Sequence, residues 1–501
     1  MSDPYVLTLD LGTSSVRAML FDAAARPVAN SVAQRQVRPH TTTDGGATFD
    51  PHELLAAVED VIDQVLHSAG PQAQHIGAVA MGTLVGNIMG VDAQDAPVSP
   101  VYIYADTRNT DDPQALRREL GAEGVEAAHD RTGCLIHTSY LPARLRWLQR
   151  VQTEEFRQAQ RWVSVGEYIY HAFLGEWCAS YSVAAWTGML DRRALTWDSE
   201  WLAHLGLDAG LLSPLGDLSE PLQGLRAQYA ERWPALANAR WLPAIGDGAA
   251  ANVGSGCVEP DRIALTVGTT GAMRVVVDPD LDRVPDGLWL YRVDARRGLL
   301  GGATTEGGNV FAWLQDALVL PDAGTLEAQL SELEPAAHGL AVLPFWGGER
   351  APGWREDARG TIHGLRLSTR PVEIVQACLE AMSYRFAMIY DRIAPHLARG
   401  RPTDAAEREP AIVASGGAIL SSPVWLQLTA DVLGRPLHTL AESEATSRGL
   451  AVLALEQLGV VEHAVQLVAA TGRVYVPRPA YYAVHREALA RQRELYADLL
   501  T

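Results

Sequence analysis

The sequence predicts an α/β protein with two large domains that share a repeated unit. Its 501 residues are more than one hydrophobic core usually holds, and buried-strand patterns alternate along it with amphipathic helices. The stretch LTLDLGTSSVRAMLFD (7–22) also aligns with IALTVGTTGAMRVVVD (263–278), which places Gly12 over Gly268 at an offset of 268 − 12 = 256 residues. An offset of about half the chain is typical of a duplicated architecture.

Charge and composition exclude several classes of function. The formal net charge is −19, which disfavours nucleic acids and anionic membranes as partners. All 41 basic residues are arginine, so the chain has neither a P-loop lysine nor a lysine that could form a Schiff base. The four cysteines are far apart and form no CxxC motif, which argues against a zinc site. Because no stretch resembles a signal peptide or a membrane span, we expect a cytoplasmic protein.

The first half opens with a strand pair, 5–11 and 16–21, joined by a short turn. An amphipathic helix is expected over 52–69, because Leu54 and Val58 fall on the same helical face as the later apolar residues. The remaining elements of this half are predicted as a strand at 75–82, a helix at 141–150 and a strand leading into a Gly/Ala-rich helix start at 241–256.

The second half repeats this organisation. Ser421 or Ser422 is expected to cap a helix that has Pro423 in its first turn and stops at Gly434. Its elements are predicted as a hairpin at 262–278, a loop at 347–365, a long helix at 371–396, a charged loop at 397–410, a strand, Gly-Gly turn and helix at 409–436, and a final helix at 483–501.

The two hairpins carry the first chemical signal. Glycine and hydroxyl residues in a tight turn offer backbone N–H groups and side-chain donors to an anion, and Arg17 could add a positive charge. Two such turns facing each other would hold a polyphosphate without lysine. Asp10 then becomes informative, because a carboxylate beside phosphates implies a divalent metal between them.

Asp247 lies between a strand and a helix start, in AIGDGAAAN. Aspartate at such a junction most often caps the helix. A carboxylate there could equally act as the general base that takes a proton from an attacking hydroxyl, which is the one acid–base role that phosphoryl transfer needs. Its glycine and alanine neighbours would leave room for a substrate.

Two further segments are weaker signals. YADTR presents Asp106 and Arg108, which could bind a polyol and a substrate carboxylate or could form a surface ion pair. Gly416 and Gly417 end a strand and open a helix, which would let a flat base approach the backbone closely.

Taken together and in this order, four segments resemble the FGGY family of carbohydrate kinases, in the actin-like ATPase superfamily: LDLGTSSVRA, GDGAAANVGSG, LTVGTTGAMR and ASGGAILSSPVWLQLTADVLGRP. The resemblance implies two ribonuclease H-like α/β domains, 1–245 and 246–501, each a mixed five-stranded sheet flanked by helices, around a central cleft. It also implies ATP-dependent phosphorylation of a sugar or polyol, with Mg²⁺.

Within the family, other segments resemble gluconate kinases: YADTR, TGCLIHTSYLPARLRWL, LWLYRVD, GGATTEGGN and LPFWGGERAPGWREDARG. By resemblance, Asp247 is the catalytic base and Asp10 helps to hold the metal. ATP is expected to contact Gly12, Thr13, Ser14, Arg17, Gly268, Thr269, Thr270, Gly308, Trp313, Gly416, Gly417 and Ser421. The substrate is expected to contact Thr83, Leu84, Asp106, Arg108, His137 and Asp247.

One departure bears on the substrate. Many family members place His or Gln after the methionine of the strand-end motif, whereas AMGTLVG has Gly82 and Thr83 there. The departure reduces polar contact from this segment and leaves the exact substrate open. From the segments that resemble gluconate kinases we expect a kinase for D-gluconate or a close aldonate, with a ketopentose or polyol such as xylulose, ribulose or glycerol as the alternative substrate. The alternative of another class is a non-catalytic ATP-binding switch. A homodimer is possible.

Overall fold

The structure is a computed structural model that describes residues 4–397, 410–442 and 444–500. The charged loop predicted at 397–410 lies, apart from its two ends, outside the described residues. Two mixed sheets organise the two halves. The first contains β1 (Tyr5–Leu11), β2 (Ser15–Phe21), β3 (Pro27–Gln36), β4 (Ile76–Thr83) and β5 (Arg240–Gly246), in the order β5-β4-β1-β2-β3.

The second sheet repeats these five strands and extends them. It contains β6 (Arg262–Val267), β7 (Gly271–Val277), β8 (Trp289–Arg292), β9 (Gly298–Thr304), β10 (Ala411–Ser415), β11 (Leu437–Leu440) and β12 (Thr471–Tyr475), in the order β8-β9-β7-β6-β10-β11-β12. In each sheet the first strand pairs antiparallel with the second and parallel with the next crossover strand.

The duplication predicted from the hairpins is thus present in the topology. The order β11-β10-β6-β7-β9 has the same strand directions as β5-β4-β1-β2-β3. The expected five strands are found in both sheets, and antiparallel β8 and β12 lengthen the second to seven by covering its edges. The second turn is one residue shorter, because Leu11 pairs with Val16 but Val267 pairs with Gly271.

Helices flank the sheets. They are α1 (Pro51–Ala69), α2 (Asp111–Thr132), α3 (Leu141–Val151), α4 (Thr153–Gln158), α5 (Val165–Leu174), α6 (Tyr181–Ala185), α7 (Ser199–Leu205), α8 (Ala227–Arg232), α9 (Asp247–Gly254), α10 (Gly308–Ala317), α11 (Ala323–Ser331), α12 (Pro371–Ile393), α13 (Gly417–Leu420), α14 (Pro423–Leu433), α15 (Ala445–Gln457) and α16 (Pro479–Leu500). Short strand pieces lie at His40–Thr41, Ala47–Phe49, Met89–Val91, Val101–Tyr102, Arg161–Val163, Ala179–Ser180, Leu190–Asp191, Thr196–Trp197, Leu215–Gly216, Ala341–Leu343 and Thr361–His363.

Local signals explain where several helices begin. The Asp50 side chain accepts a hydrogen bond from the His52 N–H at the start of α1. Ser422, rather than Ser421, caps α14 by accepting from the Trp425 N–H, and Gly434 ends that helix in the left-handed region. Within the described residues, no helix combines the length and the apolar character needed to cross a membrane.

The helices α9 and α15, which follow the fifth strand of each repeat, cross in close contact. A Cβ atom on Gly254 would lie 1.7 Å from the Ala445 carbonyl oxygen, and one on Gly449 would lie 1.8 Å from the Ala250 carbonyl oxygen. Glycine is therefore required in both helices at the crossing. This contact joins the two halves through α9, the helix that directly follows β5.

Candidate active site

Asp247 is the first residue of α9, directly after β5. It does not cap the helix: Gly246 is the N-cap, and the Asp247 Oδ1 atom accepts a hydrogen bond from the Gly248 N–H at 2.7 Å. The flanking glycines make room for an indole, since a Cβ on Gly246 would lie 2.7 Å from the Trp186 Nε1 atom and one on Gly248 would lie 2.9 Å from the same ring. The two glycines on either side of Asp247 therefore allow the Trp186 ring to pack against this turn.

The acids Asp10 and Asp247 influence each other electrostatically. Burial, together with the Asp247 carboxylate, raises the pKa of Asp10 to about 6, while Arg17 opposes the shift. Burial also raises the pKa of Asp247, and Arg274 acts in the opposite direction. Two carboxylates that share a poorly solvated site favour a cation between or beside them.

Asp247 lines a cavity of about 240 Å³ between the two halves. One wall is aromatic: the Tyr291 ring stacks on Trp186 at 3.9 Å and on Trp289 at 4.2 Å, measured between ring centroids. Arg274 and Arg350 also line it. Such a wall suits the C–H faces of a carbohydrate, and the polar groups around it suit its hydroxyls.

A second cavity, of about 320 Å³, adjoins the first and shares Tyr104, Ser139, Thr270 and Arg350 with it. We call the first the sugar lobe, because Asp247 lines it, and the second the adjoining lobe; the Thr270 turn borders both. His137 lines the adjoining lobe. Burial, and then the nearby arginines, lower the pKa of His137 to about 3, so this imidazole is neutral.

The first hairpin turn holds Gly12, Thr13 and Ser14, closed by a hydrogen bond from the Gly12 N–H to the Ser15 carbonyl oxygen. Arg17 lies opposite Asp10 on β2. Its guanidinium forms an ion pair with Glu444, just before α15. In this conformation Arg17 therefore links the two halves, and its expected contact with a phosphate would require that pair to open.

The second hairpin turn contacts the two other segments that are expected to border the nucleotide. The Gly308 N–H donates to the Gly268 carbonyl oxygen at 2.7 Å, and the Asn309 N–H donates to the Thr269 carbonyl oxygen at 3.2 Å. Gly416 has φ 95°, and a Cβ there would lie 2.4 Å from the Val267 carbonyl oxygen. The turn, the start of α10 and the Gly-Gly turn before α13 therefore converge.

A pocket of about 510 Å³ opens beside this point. Gly308 and Ser421 line it, and Gly417 adjoins its Ala418. Trp313 does not line it: this side chain is 44% exposed and packs edge-on against Trp346. The pocket has the size and apolar character to accept a purine base.

The pair expected to meet the sugar, Asp106 and Arg108, lies outside the sugar lobe. The Asp106 carboxylate is fully buried and accepts from Arg108 Nε at 3.1 Å, Arg144 Nη1 at 3.0 Å and the Ala47 N–H at 3.1 Å. Burial acts to raise the pKa of Asp106, but the two arginines outweigh it and the pKa is lowered. This ion-paired cluster stabilises the loop rather than offering free groups to a ligand.

The strand-end residues Thr83 and Leu84 are likewise buried. The Leu84 N–H donates to the Leu11 carbonyl oxygen at 2.9 Å, which holds the end of β4 to β1. The next two residues, Val85 and Gly86, line the sugar lobe instead. The residues of this segment that border the cavity are thus one or two positions later than Thr83 and Leu84, because β4 continues to Thr83 and the chain reaches the cleft only after it.

Several residues that line the sugar lobe were not predicted from the sequence. Arg274 and Arg350 were not identified, nor were Trp186 and Trp289. An arginine inside the apolar strand AMRVVV was the one available signal for Arg274. The tryptophans lie far apart in the sequence and meet only in the folded chain.

A Mg²⁺ ion fits the acids present if the nucleotide supplies most of its ligands. Among the described residues, no three or more His, Cys, Asp or Glu side chains cluster as a metal site. Magnesium in kinases usually takes one or two carboxylates, with phosphate oxygens and water completing the shell. Asp10 remains the carboxylate expected in that role.

Comparison with known proteins identifies the family. Residues 5–254 match the N-terminal domain of the FGGY family of carbohydrate kinases, and residues 263–457 match its C-terminal domain. The chain belongs to the FGGY family of carbohydrate kinases. It is therefore a phosphotransferase that acts on a sugar hydroxyl with ATP as donor, and the alternative of a non-catalytic switch is not retained.

Individual FGGY relatives differ in substrate. The chain is 24% identical over 470 residues to a gluconokinase of Bacillus subtilis (strain 168), covering 91% of this chain and 88% of the relative. It is 28% identical over 526 residues to a glycerol kinase of Stenotrophomonas maltophilia (strain K279a), covering 99% and 100%. The crystal structure of a gluconate kinase from Lactobacillus acidophilus superposes with a TM-score of 0.89 at 25% identity, covering 99% and 98%.

Proposed function

We propose that this FGGY kinase transfers the γ-phosphoryl group of ATP to a primary hydroxyl of D-gluconate or a close aldonate. Its main support is the position of Asp247 at the junction of the sugar lobe with the Thr270 turn. Two lining arginines, Arg274 and Arg350, support an acidic substrate over a neutral one. The similarity to proteins named gluconokinase and gluconate kinase points the same way.

In this reaction the hydroxyl oxygen bonds to the γ-phosphorus while the bond from that phosphorus to the bridging oxygen of ADP breaks. Asp247 accepts the hydroxyl proton, and its raised pKa makes it a stronger base than an ordinary carboxylate. The turn residues Thr13 and Thr270 would donate to phosphate oxygens. Asp10 would hold Mg²⁺, which supplies charge neutralisation when bound.

A substrate panel tests the proposal. ATP consumption is measured with D-gluconate, other aldonates, D-xylulose, D-ribulose and glycerol, and with no sugar as the control. We expect D-gluconate to give the highest kcat/KM, with ATP turnover low in the absence of sugar because an incompletely filled site does not position water well. A neutral ketose or polyol with a clearly higher kcat/KM would overturn the assignment.

A further inference from the structure

Arg274 lies on β7 with its guanidinium inside the sugar lobe. It pairs in the sheet with Ala264 on one side and Gly301 on the other, neither of which has a long side chain. Its Nε atom lies 3.5 Å from the place where a Cβ on Gly248 would be, so the guanidinium reaches the first turn of α9. Arg274 and Asp247 therefore border the same space.

The Arg274 guanidinium has donors without acceptors. Its Nε and Nη1 atoms are buried, and neither finds a hydrogen-bond acceptor among the described residues. A buried guanidinium is stable when a carboxylate or phosphate accepts its fork of N–H groups, and it is costly otherwise. A molecule that enters the lobe can supply the missing acceptor.

Other hydrogen-bond donors around the sugar lobe are also buried without an acceptor in the described part of the chain. The Nε1 atoms of Trp186 and Trp289 and the Nε atom of Arg350 are also buried without an acceptor among the described residues. Each of these groups can only donate. A hydroxyl oxygen could also accept from these donors, but a carboxylate accepts from several of them at once and matches the charge of the two arginines, so the lining favours an anionic group.

The remaining candidate cations are committed or shared. Arg108 and Arg144 are both ion-paired with Asp106. Arg350 borders both lobes. Arg274 borders the sugar lobe alone, so among these arginines its guanidinium is the one confined to that cavity.

We propose that Arg274 binds the carboxylate of the aldonate and thereby sets the preference for a sugar acid over a neutral sugar, while Asp247 acts on the primary hydroxyl. This assignment rests on the proposed function. It moves the carboxylate contact from Arg108, where the sequence pattern had suggested it, to an arginine of the second hairpin.

The test is a cycle of two proteins and two ligands. D-gluconamide keeps every hydroxyl of D-gluconate and replaces only the carboxylate with a neutral amide. Calorimetric Kd values are measured for both ligands, with a non-hydrolysable ATP analogue present, on the wild type and on Arg274→Gln. We expect Arg274→Gln to weaken gluconate binding about 100-fold and gluconamide binding by less than about threefold, because a desolvated charge pair is lost only with the first ligand.

Two further variants complete the design. Arg274→Lys keeps the charge without the planar fork, and we expect it to weaken gluconate about 10-fold and to leave gluconamide unchanged; it also replaces Arg274→Gln if that variant does not fold, as judged by its Tm. Arg108→Gln is the matched control, for which any loss of affinity should be equal for the two ligands because Arg108 is paired with Asp106.

The outcomes separate the two proposals. Equal effects of the Arg274 variants on both ligands, or no effect on either, overturn the role of Arg274 even if gluconate is the best substrate in the panel. A loss confined to gluconate in Arg108→Gln, and absent from the Arg274 variants, overturns it in favour of Arg108. A wild type that prefers a neutral ketose refutes the proposed function itself.

Discussion

At the scale of single residues, the surroundings of Asp247 depend on its two glycine neighbours. Because Gly246 and Gly248 have no Cβ atoms, the Trp186 indole can lie against this turn. Burial raises the pKa of Asp247, and Arg274 limits the shift. A carboxylate whose pKa is raised is a stronger base toward the hydroxyl proton.

Replacing this acid tests its role. We expect Asp247→Asn to lower kcat by about 10³-fold or more, since a positioned general base contributes about 10²–10⁴-fold. The Tm should be unchanged or higher, because the variant removes a buried charge, and calorimetry should still detect gluconate binding. Near-normal turnover would remove Asp247 from the mechanism.

The elements that carry the site are held by conventional caps. Helix α5 begins with a capping box in which the Glu167 carboxylate accepts from the Ser164 N–H at 2.8 Å and the Ser164 hydroxyl accepts from the Glu167 N–H. Its first turn packs on the ends of β4 and β5, since a Cβ on Gly166 would lie 3.1 Å from Ala244 and 3.2 Å from Thr83. The cap therefore supports the floor of the cleft.

This cap predicts a dependence of stability on pH. Burial raises the pKa of Glu167 from 4.5 to about 7, so the folded state binds the extra proton and stability falls as pH rises from about 4.5 to 7. Glu167→Gln keeps the acceptor and removes the charge. We expect it to match the wild type near pH 4.5 and to be more stable by about 1–3 kcal/mol at pH 8.

The comparison is made by calorimetric unfolding of both proteins across that pH range. Ser180→Ala is the control, because it removes the cap of α6, in which the hydroxyl accepts from the Val183 N–H at 3.0 Å, and it should lower stability by about 1 kcal/mol at every pH. A Tm difference between Glu167→Gln and the wild type that does not change with pH would contradict the predicted titration.

At the scale of the whole molecule, two copies of one topology meet so that each supplies part of a single site. The base follows the last strand of the first sheet, and the Thr270 turn belongs to the second. The halves are joined by the crossing of α9 and α15 and by ion pairs such as Arg17–Glu444 and Arg117–Glu356. Movement between the halves would therefore change the distance from Asp247 to the phosphates.

The helix crossing can be tested directly. We expect Gly449→Ala to destabilise the protein by at least about 3 kcal/mol, at the upper end of overpacking effects, because the new methyl group meets a backbone carbonyl that cannot rotate away. It should also lower kcat/KM by displacing α9 and with it Asp247. The measurements are Tm and kcat/KM on gluconate.

Gly324→Ala is the stability control for that variant. Its Cβ would lie 3.4 Å from the nearest atom, on an exposed turn of α11, so the change should be neutral or stabilising by up to about 1 kcal/mol. A Gly449→Ala protein as stable and active as the wild type would show that the two helices do not cross this closely.

The sequence by itself predicted the duplicated α/β architecture, the two hairpins, the Gly-Gly turn and Asp247 as a candidate catalytic residue. Strand periodicity, glycine turns and their spacing are properties of neighbouring residues, so they can be recognised without the fold. Only the tertiary structure decided which cations are free: YADTR suggests an available Arg108, but its guanidinium is paired with the Asp106 carboxylate, which also pairs with Arg144. Charge pairing and desolvation depend on neighbours distant in the chain, which is why Arg274 emerged only from the folded molecule.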